Sequence, residues 1–169
     1  MLKRAVVIHL LAGLLFAYDP VRLDINAKVF SKLLMLDSNP SATRRSGGIS
    51  VLFDPAEERF AKALRVSLER YSPATPVHLV SYRDFKGEAA LGYFLLSGSK
   101  EENIKKVADT AVAKGVISYT INPKDLKQGI MLALRMEQKV YPELNPEAIR
   151  RAGIQFQPIL FRIAKQYQP

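Results

Sequence analysis

Four short apolar runs, each parted from the next by helical or polar sequence, constrain this chain more than any other feature. Residues 49–53 (Ile-Ser-Val-Leu-Phe), 77–80, 90–96 and 116–121 have the length and composition of buried strands. After the first run, Asp54 can cap a helix, Pro55 fits its first position, and Glu57 completes a capping box. Phe60, Ala61, Leu64 and Leu68 then fall on one helical face. After the third run, Ser99 is the expected cap with Glu102 at the capping-box position. Ile104, Val107, Ala108, Ala111 and Val112 follow helical spacing, and Gly115 is the expected stop. Strands alternating with helices imply a largely parallel sheet joined by right-handed crossovers.

The flanking segments extend this unit. Residues 23–36 read as a helix, with Val29, Leu33 and Leu36 on one face beside Phe30 and Leu34. Residues 37–48 are a polar loop carrying Pro40, Arg44, Arg45 and Gly47-Gly48. Tyr82 to Gly87 reads as a polar connection. Residues 130–134 and 139–144 resemble a hairpin, and Pro142 predicts that its second arm is an edge strand. In the tail, Asn145 can cap a helix that begins at Pro146 and ends at Gly153, and Pro158 can start another. Ile159, Leu160, Ile163 and Ala164 share a face that reads as core, which leaves Arg162 and Lys165 for solvent. With 169 residues and no linker or repeat, the expectation is a single α/β domain. It has a mixed, mostly parallel sheet, helices on both faces, and a C-terminal hairpin followed by two short helices.

Lys3 and Arg4 precede an apolar run, residues 5–17, that is too short for a comfortable membrane span. This pattern reads as a secretory signal peptide over residues 1–17, cleaved after Ala17, or as an N-terminal anchor. Residues 18–169 are then the mature domain, and loss of Lys3 and Arg4 lowers the formal net charge from +9 to +7. Lys and Arg are spread along the chain, paired in sequence beyond that segment only at Arg44-Arg45, Lys105-Lys106 and Arg150-Arg151. Such a distribution suits a solvated surface better than a nucleic-acid footprint.

The chain lacks cysteine, which excludes disulfides, thiolate metal sites and cysteine nucleophiles. His78 is the one histidine outside the leader, so a metal site or a Ser-His pair is not expected. Gly98-Ser99-Lys100 has the wrong order for a phosphate loop, which needs Gly-Lys followed by Ser or Thr. Glu57-Glu58 and Glu101-Glu102 stand at helix starts, where the macrodipole favours acids. No cofactor is expected. In open α/β sheets ligands lie outside the carboxyl ends of strands, and here those ends carry Asp54, Ser97, Ser99 and Asn122. They are the candidate contacts, beside two helix N-termini, although Asp54 and Ser99 also suffice as plain caps. Arg44 and Arg45 are candidate partner contacts in their loop.

Several segments together resemble the YfiR-like family. In the tail, Glu143-Leu144-Asn145, Ala148, Ala152-Gly153-Ile154 and residues 159–164 (Ile-Leu-Phe-Arg-Ile-Ala) are similar to the family's closing pattern. That pattern is a strand with Glu and Asn, an Ala-Ala-x-x-Ala-Gly-Leu helix, and a segment leading to Leu-Leu-x-Leu-Ala. Residues 23–36, residues 49–54 with Phe60-Ala61-Lys62-Ala63-Leu64, residues 93–97, and Asn122 to Gly129-Ile130-Met131-Leu132 match other parts in order. The family's Trp-Pro is here Leu36-Asp37, its Ser pair before the last helix is Gln157-Pro158, and its cysteines are absent. The resemblance implies a periplasmic, non-enzymatic regulatory or sensor protein that binds a membrane signalling partner. In the best-understood members that partner is a diguanylate cyclase, restrained through its periplasmic sensor domain, with effects on cyclic-di-GMP and biofilm. Other members belong with receptors or sensor kinases. A second copy of the chain and a small-molecule ligand are further candidate partners, and nucleic acid is not. The rival reading is a periplasmic small-molecule-binding component, and a hydrolase has the least support.

Overall fold

The computed structural model describes residues 19–40, 46–96 and 98–168. The leader or anchor, Arg44, Arg45 and Ser97 lie outside the described residues. Helix α1 (Pro20–Met35) precedes β1 (Ile49–Phe53). A 3-10 turn (Pro55–Glu57) and α2 (Glu58–Tyr71) lead to β2 (Val77–Ser81). Then come β3 (Gly92–Leu95), α3 (Glu101–Lys114) and β4 (Ile117–Thr120). A second 3-10 turn (Pro123–Gln128) leads to β5 (Leu132–Met136) and β6 (Val140–Leu144). The tail is α4 (Pro146–Arg151), α5 (Pro158–Ile163) and a two-residue strand β7 (Lys165–Gln166).

The sheet has seven strands in the order β2-β1-β3-β4-β5-β6-β7. All neighbours are parallel except the β5-β6 hairpin. The α/β class and the mixed, mostly parallel sheet are as the sequence predicts. The crossover through α2 moves outward from β1 to β2, and the one through α3 moves the opposite way, from β3 to β4. Right-handed connections running in opposite directions put their helices on opposite faces. Side chains alternate accordingly. Phe94 meets Phe30 of α1 edge-on at 5.2 Å between ring centroids. Its neighbour Tyr93 meets Phe85, whose carbonyl accepts from Lys106 of α3 at 2.9 Å.

Helix α1 is seated over β3 and β4 by an aromatic triangle. Phe30 lies 5.1 Å from Tyr119, and Tyr119 lies 4.9 Å from Phe94. Gly92 permits the approach, because a Cβ there would fall 2.7 Å from Phe30 Cζ and 2.9 Å from Leu34 Cδ2. The Tyr119 hydroxyl, buried beneath the helix, donates to Asn26 Oδ1 at 2.6 Å. Asn26 Nδ2 donates in turn to the Arg22 carbonyl at 2.8 Å. Along its flank, Asp24 ties α1 to α2, accepting from the Tyr71 hydroxyl at 2.6 Å, Ser67 Oγ at 2.9 Å and Arg70 Nη1 at 3.2 Å.

Four local expectations change. The β2–β3 connection is not merely polar: Tyr82 and Phe85 are buried, and the Tyr82 hydroxyl donates to the Leu96 carbonyl at 2.8 Å. Strand β6 is not an edge strand, because Glu143 and Leu144 pair with Lys165 and Gln166 of β7. That pairing starts one residue beyond Pro142, which has no N–H to offer it. Ser99 does not cap α3: Lys100 holds that position without a side-chain bond. Of the α5 face expected to be core, Leu160 is buried and Ala164 packs partly buried against the core, while Ile159 and Ile163 are 37% and 52% exposed; Phe161, off that face, is 41% exposed. Among the described residues the sheet ends at the short β7.

Two outcomes follow. Tyr119→Phe leaves Asn26 Oδ1 buried without its donor and lowers unfolding free energy by about 1–3 kcal/mol in urea titrations; a loss under about 0.5 kcal/mol contradicts the role given to that bond. Burial, with Glu88 nearby, pushes the Tyr93 phenol up from 10.0 to about 12, and burial holds Tyr119 well above its ordinary value. The unfolded chain therefore releases these protons first. Stability is fully present below pH 10 and declines as pH rises through the window up to about 12. Urea midpoints measured across that window read the decline.

Candidate functional site

Strands β1, β3 and β4 are parallel neighbours, so their carboxyl ends open on one edge, about 4.8 Å apart per strand. The order of connection reverses between β1 and β3, which makes this the switch point of the sheet. The structure brings Asp54, the turn at Gly98 and Ser99, and Asn122 to that edge.

Each of these side chains is already engaged locally. Asp54 and Glu57 form the expected capping box, with the Asp54 N–H donating to Glu57 Oε2 at 3.0 Å. Glu57 is the residue the sequence reading undervalued. Its carboxylate is buried, and the turn after β3 closes over it so tightly that a Cβ at residue 98 would lie 2.7 Å from Glu57 Oε1. Gly98 adopts a φ of +104°, so both its shape and its conformation require glycine. The Asp54-x-x-Glu57 spacing was the only local sign of Glu57, and it says nothing about burial. Ser99 Oγ accepts from Asn103 Nδ2 at 2.8 Å. Asn122 caps the second 3-10 turn, accepting from the Lys124 N–H at 3.3 Å and donating from Nδ2 to Asp125 Oδ1 at 3.2 Å. Thr120 Oγ1 donates to the other Asp125 oxygen at 2.7 Å. Burial raises the Asp125 carboxyl above its usual range despite that bond.

Beside Asn122 a cleft of about 350 Å³ opens between the first turns of α1 and the ends of β4 and β5. Ile121, Leu134 and Met136 form its apolar floor, and Arg22, Asn122 and Lys124 its polar rim. Arg135 also lines it but is committed, meeting Glu143 at 2.7 Å and Glu137 at 3.1 Å. A second groove of about 610 Å³ lies between α3 and α4. Lys105, Lys127 and Arg150 on its walls are held in ion pairs with Asp109, Glu101 and Glu147. Its positive charge is thus largely paired, as a solvated surface requires.

Among the described residues no cluster of three or more His, Asp or Glu side chains is arranged to hold a metal ion. His78 is exposed on β2. Among the described residues, too, no helix is long and apolar enough to cross a membrane. At the tail, the α5 residues Ile159, Phe161 and Ile163 are exposed, and Met35, at the end of α1, is 76% exposed. The two helices are stitched at this point, since the Gln157 N–H donates to the Leu36 carbonyl at 2.9 Å.

Comparison with known proteins gives the family and the fold. No curated protein matches the chain. Among solved structures, a conserved domain protein from Vibrio cholerae O1 biovar El Tor superposes with a TM-score of 0.65 at 10% identity, over 86% of this chain and 60% of that one. The ABC domain in complex with L-Trp from Streptococcus pneumoniae superposes with a TM-score of 0.65 at 9% identity, over 83% of this chain and 61% of that one. The chain thus spans about three fifths of each of these proteins, and identities this low speak for the fold alone. The family model described as YfiR/HmsC-like matches residues 21–165, from the first turn of α1 to the start of β7. With nearly the whole described fold inside that match, the chain belongs to the YfiR/HmsC-like family.

Proposed function

We propose that this protein is an exported, non-enzymatic regulator that docks on the periplasmic sensor domain of a membrane signalling protein of the diguanylate cyclase or sensor kinase type. Family membership supports the regulatory role. The observation that carries the docking is the exposure of Ile159, Phe161 and Ile163, three large apolar side chains left in solvent on the two flanks of the buried Leu160. Clustered apolar exposure of this kind marks interaction surfaces, and aromatic side chains dominate such contacts. Phe161, on one flank of Leu160, is the aromatic anchor, and Ile159 and Ile163 lie on the other flank. The carboxyl edge, with Asp54, Ser99 and Asn122, is a secondary contact in this reading, as are Ser97 and the loop arginines Arg44 and Arg45 that the sequence singles out.

The test uses Phe161→Asp. The side chain is already 41% exposed, so the variant folds with a melting temperature close to that of the parent. It recovers at least about 10-fold less membrane partner in pull-downs, as loss of an apolar anchor predicts. Where the partner is a restrained cyclase, cyclic-di-GMP rises as well. Recovery of the partner at the parent level overturns the docking face.

A second reading, a periplasmic small-molecule-binding component, is favoured by the 350 Å³ cleft, whose apolar floor and Arg22–Lys124 rim suit a small carboxylate with an apolar body. The fold relative in complex with L-Trp suggests the probe. On this reading L-Trp raises the melting temperature in a thermal-shift assay, and Arg22→Ala removes the shift. No shift with L-Trp counts against it.

A further inference from the structure

The two helices on the α1 side of the sheet carry a charge excess that the other side lacks. Helix α1 has three cations against Asp24, and α2 has four against Glu58 and Glu69, an excess of four. Each of these acids is taken by one cation. Arg70 meets Asp24 at 3.2 Å, Lys62 meets Glu58 at 2.7 Å and Arg65 meets Glu69 at 2.6 Å. Arg22, Lys28, Lys32 and Arg59 remain without an acidic partner among the described residues. Helix α3, on the opposite face, has three cations and three anions and no excess. Apolar side chains are interleaved with the free cations. In α1, residues 21, 25, 28, 32 and 35 fall within an arc of about 80° at helical spacing. This outer stripe reads Val-Ile-Lys-Lys-Met. In α2, Arg59, Lys62 and Val66 share the outer side in the same way. Met35, Val21 and Val66 are the three most exposed large apolar side chains among the described residues, at 76%, 62% and 58%.

We propose that the outer side of α1 and α2 is a membrane-contact face, which lies on the headgroup layer of a bilayer containing anionic phospholipid. The unpaired lysines and arginines attract the lipid phosphates. Their long stems lie along the surface and let Val21, Met35 and Val66 reach toward the acyl boundary. The apolar side chains select lipid over nucleic acid. A nucleic-acid surface combines cations with aromatic rings that stack on bases, and the aromatics of these helices, Phe30, Phe60 and Tyr71, are buried or half-buried. The sequence also sets a distance. Tyr18 and Asp19 alone separate the apolar run ending at Ala17 from Pro20, the first residue of α1. Where that run is kept as an anchor, two residues span at most about 7 Å, which puts the first turn of α1 at the bilayer surface. This contact involves lipid alone and is separate from the docking of a protein on α5.

Vesicle co-sedimentation tests the face. It uses the chain without residues 1–17, whose apolar run would bind lipid by itself; the whole described core lies in what remains. Phosphatidylcholine vesicles with about 30% phosphatidylglycerol bind the protein at low salt, pure phosphatidylcholine binds it at least about 10-fold less, and about 0.5 M NaCl releases it. Lys28→Glu with Lys32→Glu lowers binding by about 10-fold or more at unchanged circular dichroism. Lys105→Glu with Arg151→Glu makes the same change in net charge on the α3 side and lowers binding by less than about 3-fold. Val21→Ser with Met35→Ser weakens vesicle binding by about 3-fold or more and leaves binding to heparin, a soluble polyanion, unchanged. Should the double lysine reversal unfold the chain, Lys32→Gln alone lowers vesicle binding by about 3-fold or more. Equal binding to neutral and anionic vesicles overturns the proposal, and so does an equal loss from the two charge reversals. Vesicle binding that ignores Val21→Ser with Met35→Ser also overturns it, in favour of a soluble polyanion or an acidic protein surface.

Discussion

The contact of α1 with β3 and β4 underlies much of this molecule. Phe30, Phe94 and Tyr119 interlock, Gly92 removes the one Cβ that would hold them apart, and the Tyr119–Asn26 bond fixes the helix in register. A fully buried phenol and amide are costly unless they satisfy one another, so the pair permits few alternative placements of α1. Other features hang on that placement. Asp24 can reach Ser67, Arg70 and Tyr71 only when α1 lies beside α2. Arg22 and Asn26 wall the cleft at the carboxyl edge. At its other end the same helix holds Leu36 for the Gln157 N–H, and with it the tail.

The opposed crossovers of β1–β2 and β3–β4 place the switch point in the middle of the sheet. In this protein the chain's own side chains occupy it. Glu57 is buried beneath the Gly98 turn, Ser99 bonds Asn103, and Asn122 bonds Asp125 and the backbone. The open surfaces lie at the periphery instead. One end of the sheet is the regular, uncharged edge of β2, and near the other the two-residue β7 is preceded by an α5 that covers little of its own apolar surface. On the reading proposed above, such peripheral surfaces are where another chain would meet this one.

Much of the fold was legible in the residues. The strand runs, the inner faces of α2 and α3, the Asp54–Glu57 box and the Asn145 cap all form where the sequence places them. Each depends on neighbours within about four positions, through helical or strand periodicity and local hydrogen bonds. The tail pattern was likewise sufficient to point to the family. Ser99 does not cap α3, although the clue is local: Asn103 one turn later donates to its hydroxyl. Of the candidate residues, Asp54, Ser99 and Asn122 do share one edge, as parallel strands with helical crossovers require.

What the sequence determined by itself was therefore the set of elements, their class and their kinship. The tertiary structure alone decided what each element's second side would meet. Burial of Glu57 depends on a turn about forty residues later, and the pairing that takes β6 off the edge comes from β7. In the α5 stripe that reads as core, Leu160 is buried while Ile159 and Ile163 are left in solvent. The periodicity of a segment states which side is apolar. Only the arrangement of distant segments states whether anything covers it, because that contact is made between residues far apart in the chain.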